Sequence, residues 1–260
     1  MTTLLSKDHT ILERPFMECR PFGVDEHGEK IRDISGVSVR AMVQYMERIV
    51  AIHNGLPAGE EAVQQICRLL NERIRDSAYA VTPAYLRNAW HSYSYEFVCY
   101  VYEFCWQLSG DPRFPFNAGK DKVSPMLQIL GRPFSLDQIF RMWPHFGNKY
   151  SSGVIEYEVR TVTNASAVLR MRFTERSYQQ FGPYRKRCAD MICQSHHGSL
   201  SALPELIHRM PPAMVTDRQC IAAGDACCEW EVIWAPTVDT GLSRFIKRVF
   251  AFRQDEKIVT

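Results

Sequence analysis

The period of the apolar residues changes once along this chain, near Tyr150, and no other feature constrains the fold as much. Before it, apolar side chains recur at helical spacing. Val39, Met42, Val43, Met46, Ile49 and Val50 predict one helix, stopped by Asn54-Gly55 and Pro57, and Val63, Ile66, Cys67, Leu70 and Ile74 predict a second. Thr82-Pro83 sets a capping hydroxyl before a proline at the first helical position and opens a third, expected to run to Leu108 before Gly110-Asp111-Pro112. Ser135 and Gln138 form a capping-box pattern ahead of a short helix expected to end near Trp143-Pro144.

After Tyr150 the pattern alternates. Ile155, Tyr157 and Val159 interleave with Glu156, Glu158 and Arg160, so residues 154–162 and 167–173, separated by Asn164-Ala165-Ser166, read as an antiparallel hairpin. A helix is expected from Tyr178 to about Ser195. A second hairpin pairs residues 213–222 with 227–235 across a Gly224-Asp225 turn. The expected class is α/β, more narrowly α+β: an N-terminal helical region, then helices packed on a four-stranded antiparallel sheet made of two hairpins in β-β-α-β-β order.

The expected organisation is an N-terminal arm over 1–36, a helical region over 37–113, a ligand-binding domain over 114–236 and an amphipathic linker or dimerisation helix over 237–260. The last rests on Leu242, Phe245, Ile246, Val249 and Phe250 sharing one face while Arg244, Lys247, Arg248 and Arg253 fall elsewhere. With 260 residues, 46% of them hydrophobic, the chain can bury a sizeable core. Charge is nearly balanced, 31 Lys+Arg against 29 Asp+Glu, which gives no electrostatic argument for nucleic acid. No apolar run is long enough for a membrane span and the polar start lacks a signal-peptide core, so a cytoplasmic location is expected.

Nine cysteines are an odd number, and Cys67, Cys99, Cys105 and Cys188 fall in helical patterns, which points to reduced thiols. Cys220, Cys227 and Cys228 are different, for they crowd into eleven residues around the Gly224-Asp225 turn. On facing strands Cys220 and Cys228 could converge on one zinc ion, with Cys193 as a third donor and Glu175, His196 or His197 as a fourth. The competing reading is packed thiols, with one of Cys227 and Cys228 facing the core because neighbours on a strand point to opposite faces.

The Cys220-x3-Gly224-Asp225-x2-Cys228 hairpin, preceded by a helix and another hairpin, resembles the 4-vinyl reductase type sensory domain of phenol-responsive activators and other bacterial signalling proteins, over roughly residues 114–235. That fold is related to haem nitric-oxide-binding domains and to small TRAPP transport subunits. The resemblance implies a small-molecule sensor with a structural zinc held by two hairpin cysteines, an earlier cysteine and a glutamate. Here these positions fall on Cys220, Cys228, Cys193 and Glu175, and a pocket histidine falls on His145. Around Cys193 the sequence departs from those activators, with Cys193-Gln194-Ser195-His196-His197-Gly198 in place of a Gly/Tyr-rich segment.

Rings able to line an apolar cavity are Trp90, Tyr93, Phe97, Trp106, Phe116 and Trp143; filling the core is their alternative role. His91, amid aromatics, is weighed as an axial ligand against a satisfied core histidine. The haem signature Tyr-x-Ser-x-Arg finds its nearest string at Tyr150-Ser151-Ser152-Gly153-Val154, which lacks the arginine. The expected function is therefore a small-molecule-binding sensory domain of a bacterial signalling protein. It would take a small apolar or aromatic ligand, pair as a homodimer and pass occupancy to an output domain through its C-terminal helix. Alternatives are a haem or other tetrapyrrole sensor and a ligand-free interaction domain. An enzyme is not expected, since no Gly-rich phosphate loop, nucleophile elbow or His-Glu-x-x-His string occurs.

Overall fold

Capping residues decide where the helices of the first half begin and end. In the computed structural model, which describes residues 33–74, 80–123, 125–151 and 153–235, Ser35 closes a two-residue strand β1 (Ile34–Ser35), and its hydroxyl accepts the Val37 N–H at 3.3 Å to start α1 (Gly36–Asn54). Gly55, at φ 92°, ends α1 and leads straight into α2 (Leu56–Asn71). Most of the arm expected over 1–36 and the amphipathic pattern from Leu242 lie outside the described residues.

The long helix expected from Thr82 to Leu108 is two helices with a strand between them. α3 (Pro83–Leu86) gives way to a turn, then to β2 (Ser92–Tyr93), which pairs antiparallel with β1, and only then to α4 (Tyr95–Ser109). Polar side chains supply the break. Asn88 accepts the Trp90 N–H at 2.9 Å, and Ser94 accepts the Phe97 N–H at 3.2 Å as the cap of α4. The Gln180 side chain adds a second cap, accepting the Tyr95 and Glu96 N–H groups at 2.7 and 3.1 Å. As its nearly all-round apolar sequence requires, α4 is buried along most of its length.

Short helices α5 (Phe114–Asp121) and α6 (Pro125–Gly131) lead to α7 (Leu136–Tyr150), which starts with the expected capping box. It does not stop near Pro144 but carries that proline internally. Packing on both sides of the proline offsets the lost backbone bond: Phe140 stacks on Trp234 at 4.7 Å, and Gly147 lies against the Tyr157 ring.

The sheet comprises β3 (Ile155–Val162), β4 (Ser166–Phe173), β5 (Met214–Gln219) and β6 (Cys228–Ile233), all antiparallel in the order β3-β4-β6-β5. Between the hairpins the single expected helix is again divided, into α8 (Glu175–Phe181) and α9 (Arg185–His208), by a short 3-10 turn at Gly182–Tyr184. Gly182 sits at φ 50° and Pro183 lacks an N–H, so the helix cannot pass through. Mixed helix and antiparallel sheet is thus the class of the described chain.

α9 is the central helix. Its Gly198 meets α5 so closely that a Cβ there would overlap the Phe116 carbonyl, and Gly119 of α5 meets the Ser195 carbonyl in the same way. The Ser199 hydroxyl donates to the Gly119 carbonyl at 2.7 Å across this seam. Farther up α9, Arg187 reaches the buried Glu103 of α4 with two hydrogen bonds of 3.1 Å, so the charge taken out of water there is matched. Among the described residues no helix is long and apolar enough to cross a membrane.

Candidate functional site

One stripe from each of three helices faces a common space. On α4 the stripe is Tyr95, Val98 and Tyr102; on α7 it is Ile139, Trp143, Phe146 and Tyr150; on α9 it is Ile192, His196, Ser199 and Leu203. The steps of three, four and seven are those that align side chains on one helical face. Ile155 and Tyr157 of β3 close one side, and Lys122 with Val123, just past the end of α5, closes another. They line a partly open cavity of about 130 Å³, close in size to an engineered apolar cavity of ~150 Å³ that takes up benzene.

The polar groups of this wall are largely matched to one another. His196 Nδ1 lies 2.8 Å from the Ile192 carbonyl, which can only accept, so Nδ1 carries the proton and Nε2 accepts from the Tyr157 hydroxyl at 2.9 Å. Burial, reinforced by the nearby Lys122 amine, pushes the imidazole down to about 3, and it is neutral. Its ring stacks on Trp230 at 5.4 Å. The Tyr102 hydroxyl donates to Ser195 Oγ at 2.7 Å, and burial pushes both phenols, Tyr102 and Tyr157, well up. Burial brings the Lys122 amine down to about 7.

One residue along α9 the chemistry changes. Cys193 projects toward the second hairpin and meets Cys220 and Cys228, the three sulfurs lying within 4.8 Å of one another. The hairpin tip builds this convergence. Asp225 accepts the Cys220 N–H at 2.8 Å and returns its own N–H to the Cys220 carbonyl at 3.1 Å, while Gly224 turns the chain at φ 109°. The Ile221 N–H points at Cys228 Sγ, 3.4 Å away. A hydrogen bond from Cys193 brings the Cys220 thiol down to about 6, and the same bond holds Cys193 up as the protonated partner. Three sulfurs on a tetrahedral zinc would sit about 3.8 Å apart with Zn–S of about 2.3 Å, so the cluster fits three corners of such a site.

The fourth donor is not among them. Glu175 is exposed at the start of α8, outside the cluster; His196 is committed to Tyr157 and Ile192, and His197 to Asp217 at 2.8 Å. Cys227 points away and donates to Gln219 Oε1 at 2.7 Å. Among the described cysteines none forms a disulfide.

Of the rings named from sequence, Trp143 lines the cavity. Tyr93 and Phe97 are fully buried and stack on each other at 5.1 Å in the core. Trp106 lies under Arg187, Phe116 under Arg113 and Lys120, and Trp90 is 94% exposed on the turn before β2. His91 packs on Tyr85, with Asn88 Nδ2 3.0 Å from its Nε2, and His145 is exposed beside Phe146. Sequence reasoning missed Lys122, Tyr157 and His196 as lining groups. The signal for His196 was there, in a stripe that mixes Ser and His with Ile and Leu on a buried helix.

No family model and no curated protein matches the sequence. Among solved structures the chain is similar to an H-NOX protein from S. oneidensis in its Fe(II) state, with 13% identity and a TM-score of 0.48 over 78% of this chain and 98% of that one. It is likewise similar to an Fe(II) unliganded H-NOX protein from K. algicida, with 10% identity and a TM-score of 0.48 over 80% and 100% of the two chains. An oxygen-binding H-NOX domain related to soluble guanylate cyclases gives 9% identity and a TM-score of 0.45 over 76% and 96%. At this level of identity and superposition the likeness assigns neither ligand nor cofactor.

Proposed function

We propose that this chain is a small-molecule-binding sensory domain, and the observation that carries the reading is the cavity between α4, α7 and α9. Well-packed interiors leave few voids larger than a water molecule, so an apolar space of about 130 Å³ at the junction of three helices and a sheet is room kept for a guest. Its size suits one aromatic ring or a short aliphatic chain. A tetrapyrrole, four such rings joined in a plane, is a far larger guest, and both nitrogens of His196, the histidine on the wall, are already engaged.

Beside the cavity, Cys193, Cys220 and Cys228 would hold a structural zinc, with a water molecule as the fourth donor. The ion would supply folding energy by tying the second hairpin to α9. Trp230 lies on the same face of β6 as Cys228 and stacks on His196, which links the two sites by direct contact. The 4-vinyl reductase-like naming, a cytoplasmic bacterial signalling role, pairing into a homodimer and an output domain reached through the C-terminal helix complete the proposal.

A thermal-shift screen of purified chain against small aromatic and short aliphatic compounds, with elemental analysis, tests it. At least one class is expected to raise the melting temperature, since a ligand that prefers the folded state must stabilise it, and zinc should approach one per chain. No stabilisation by any class at saturating concentration would leave the ligand-free interaction domain as the better reading.

A further inference from the structure

We infer that Lys122 is the recognition group of the cavity and that the ligand is a small apolar molecule ending in a carboxylate; this rests on the reading of the cavity as a ligand site. Of the described residues that line the space, Lys122 alone carries a formal charge, and no Asp or Glu faces it from the wall. Its ammonium makes no ion pair or hydrogen bond with the described residues. It lies 5.1 Å from the centroid of the Tyr102 ring.

An ammonium in such a place is costly unless something pairs it. Lys122 is half-buried and lines the cavity, and the packing around it removes the amine from bulk water and makes its proton easier to lose. Among the described residues no hydroxyl oxygen of the wall lies within hydrogen-bond reach of it, and those of Tyr157, Tyr102 and Ser199 are turned to other partners. Tyr157 donates to His196, Tyr102 to Ser195 and Ser199 to the Gly119 carbonyl. Trp143 lines the space as well, but its indole nitrogen is shut away from it, so Lys122 is the one donor shown at the wall without an acceptor among the described residues. An unpaired ammonium and no acidic group on the wall call for a guest that brings acceptors and negative charge. A cationic guest would be repelled, and a neutral one could accept a hydrogen bond but would leave the charge uncompensated.

The alternative, that Lys122 is a buried charge tolerated for packing, makes a different prediction about binding. Isothermal titration of the full chain at about pH 6, where the amine is charged, would compare benzoate with benzamide and hexanoate with hexanamide. Each acid is expected to bind about tenfold or more tighter than its amide, as a charge-assisted hydrogen bond implies. Lys122→Met keeps the length of the stem and should erase the preference while amide binding persists, and Lys122→Arg should retain it. Melting curves establish that each variant is folded, and the wild-type comparison stands whether or not a variant folds. Equal affinity for acid and amide in wild type, or a preference that survives in Lys122→Met, overturns the anchor and leaves the cavity reading intact. Failure of both pairs to bind at millimolar concentration overturns the anchor together with the cavity reading.

Discussion

Two adjacent faces of α9 serve two sites of opposite character. The face with Ile192, His196, Ser199 and Leu203 borders space that the protein leaves unfilled, while the face with Cys193 closes onto two other sulfurs within 4.8 Å. Three sulfurs are brought together by backbone: a turn locked by Asp225 and a strand beginning at Cys228. The cavity is defined by side chains that stop short. A site of the first kind has its donors in place before any small molecule arrives, and an ion held there would contribute to folding. A site of the second kind would exchange its occupant at little cost to the fold, which is what the proposed sensory role requires.

The largest expected effect is one that removes both sites at once. Gly198→Ala would drive a methyl into the Phe116 carbonyl, and since backbone cannot swing aside as a side chain can, a loss of about 3 kcal/mol or more is expected in urea unfolding. A near-neutral result would show that α5 and α9 can separate freely. Next comes the thiol cluster. Cys228→Ser is expected to abolish zinc binding and, at a metal concentration of about 100 Kd, to forfeit ~2.7 kcal/mol. Unchanged metal content would return the cysteines to the role of packed thiols.

The pH dependence of stability separates the faces by another route. His196 titrates near 3 in the folded chain against 6.5 in its ordinary state, so between those values the unfolded chain binds the extra proton. This contribution is complete above about pH 6.5 and is lost as pH falls toward 3, at no more than about 1.4 kcal/mol per pH unit. His196→Asn, compared with wild type at equal metal loading, should flatten that slope; an identical slope would place the titration elsewhere. The smallest effect on stability is the most selective for function. Val98→Phe would fill the cavity from α4, raising stability by about 0.5–1 kcal/mol while abolishing ligand-induced thermal shifts. Ligand binding that persists in this variant would locate the guest outside the cavity.

The thiol face was far more legible than the cavity. Cys220 and Cys228 announce themselves because a hairpin tip brings together residues eight positions apart, one just past β5 and one at the start of β6, a local relation that spacing records. The cavity is a relation among helices remote in sequence. Aromatic density marks burial rather than emptiness, which is why Tyr93 and Phe97 proved to be core and Trp143 a lining residue. The change of period near Tyr150 was read correctly as the start of the sheet, yet the helix before it runs through Pro144 and supplies Phe146, Gly147 and Tyr150 to the wall. A proline read as a stop thus hid half of that helix's contribution. Asn88 and Ser94, which break the long helix expected before it, act through side-chain hydrogen bonds that apolar periodicity does not register.

The glycine seam between α5 and α9 has a mechanical consequence. Where two backbones touch at Gly119 and Gly198 there is no side-chain layer to shear, so those helices move as one beam. Lys122, one residue past the end of that beam, is held at a fixed height over α9. The other wall is hung differently: α7 rests on β3 through Gly147 against the Tyr157 ring, a contact between a backbone and a side chain rather than between two backbones. A guest that changes the shape of this domain would therefore do so by displacing α7 against a stationary frame, and under the proposed sensory role its effect would leave through whatever α7 leans on.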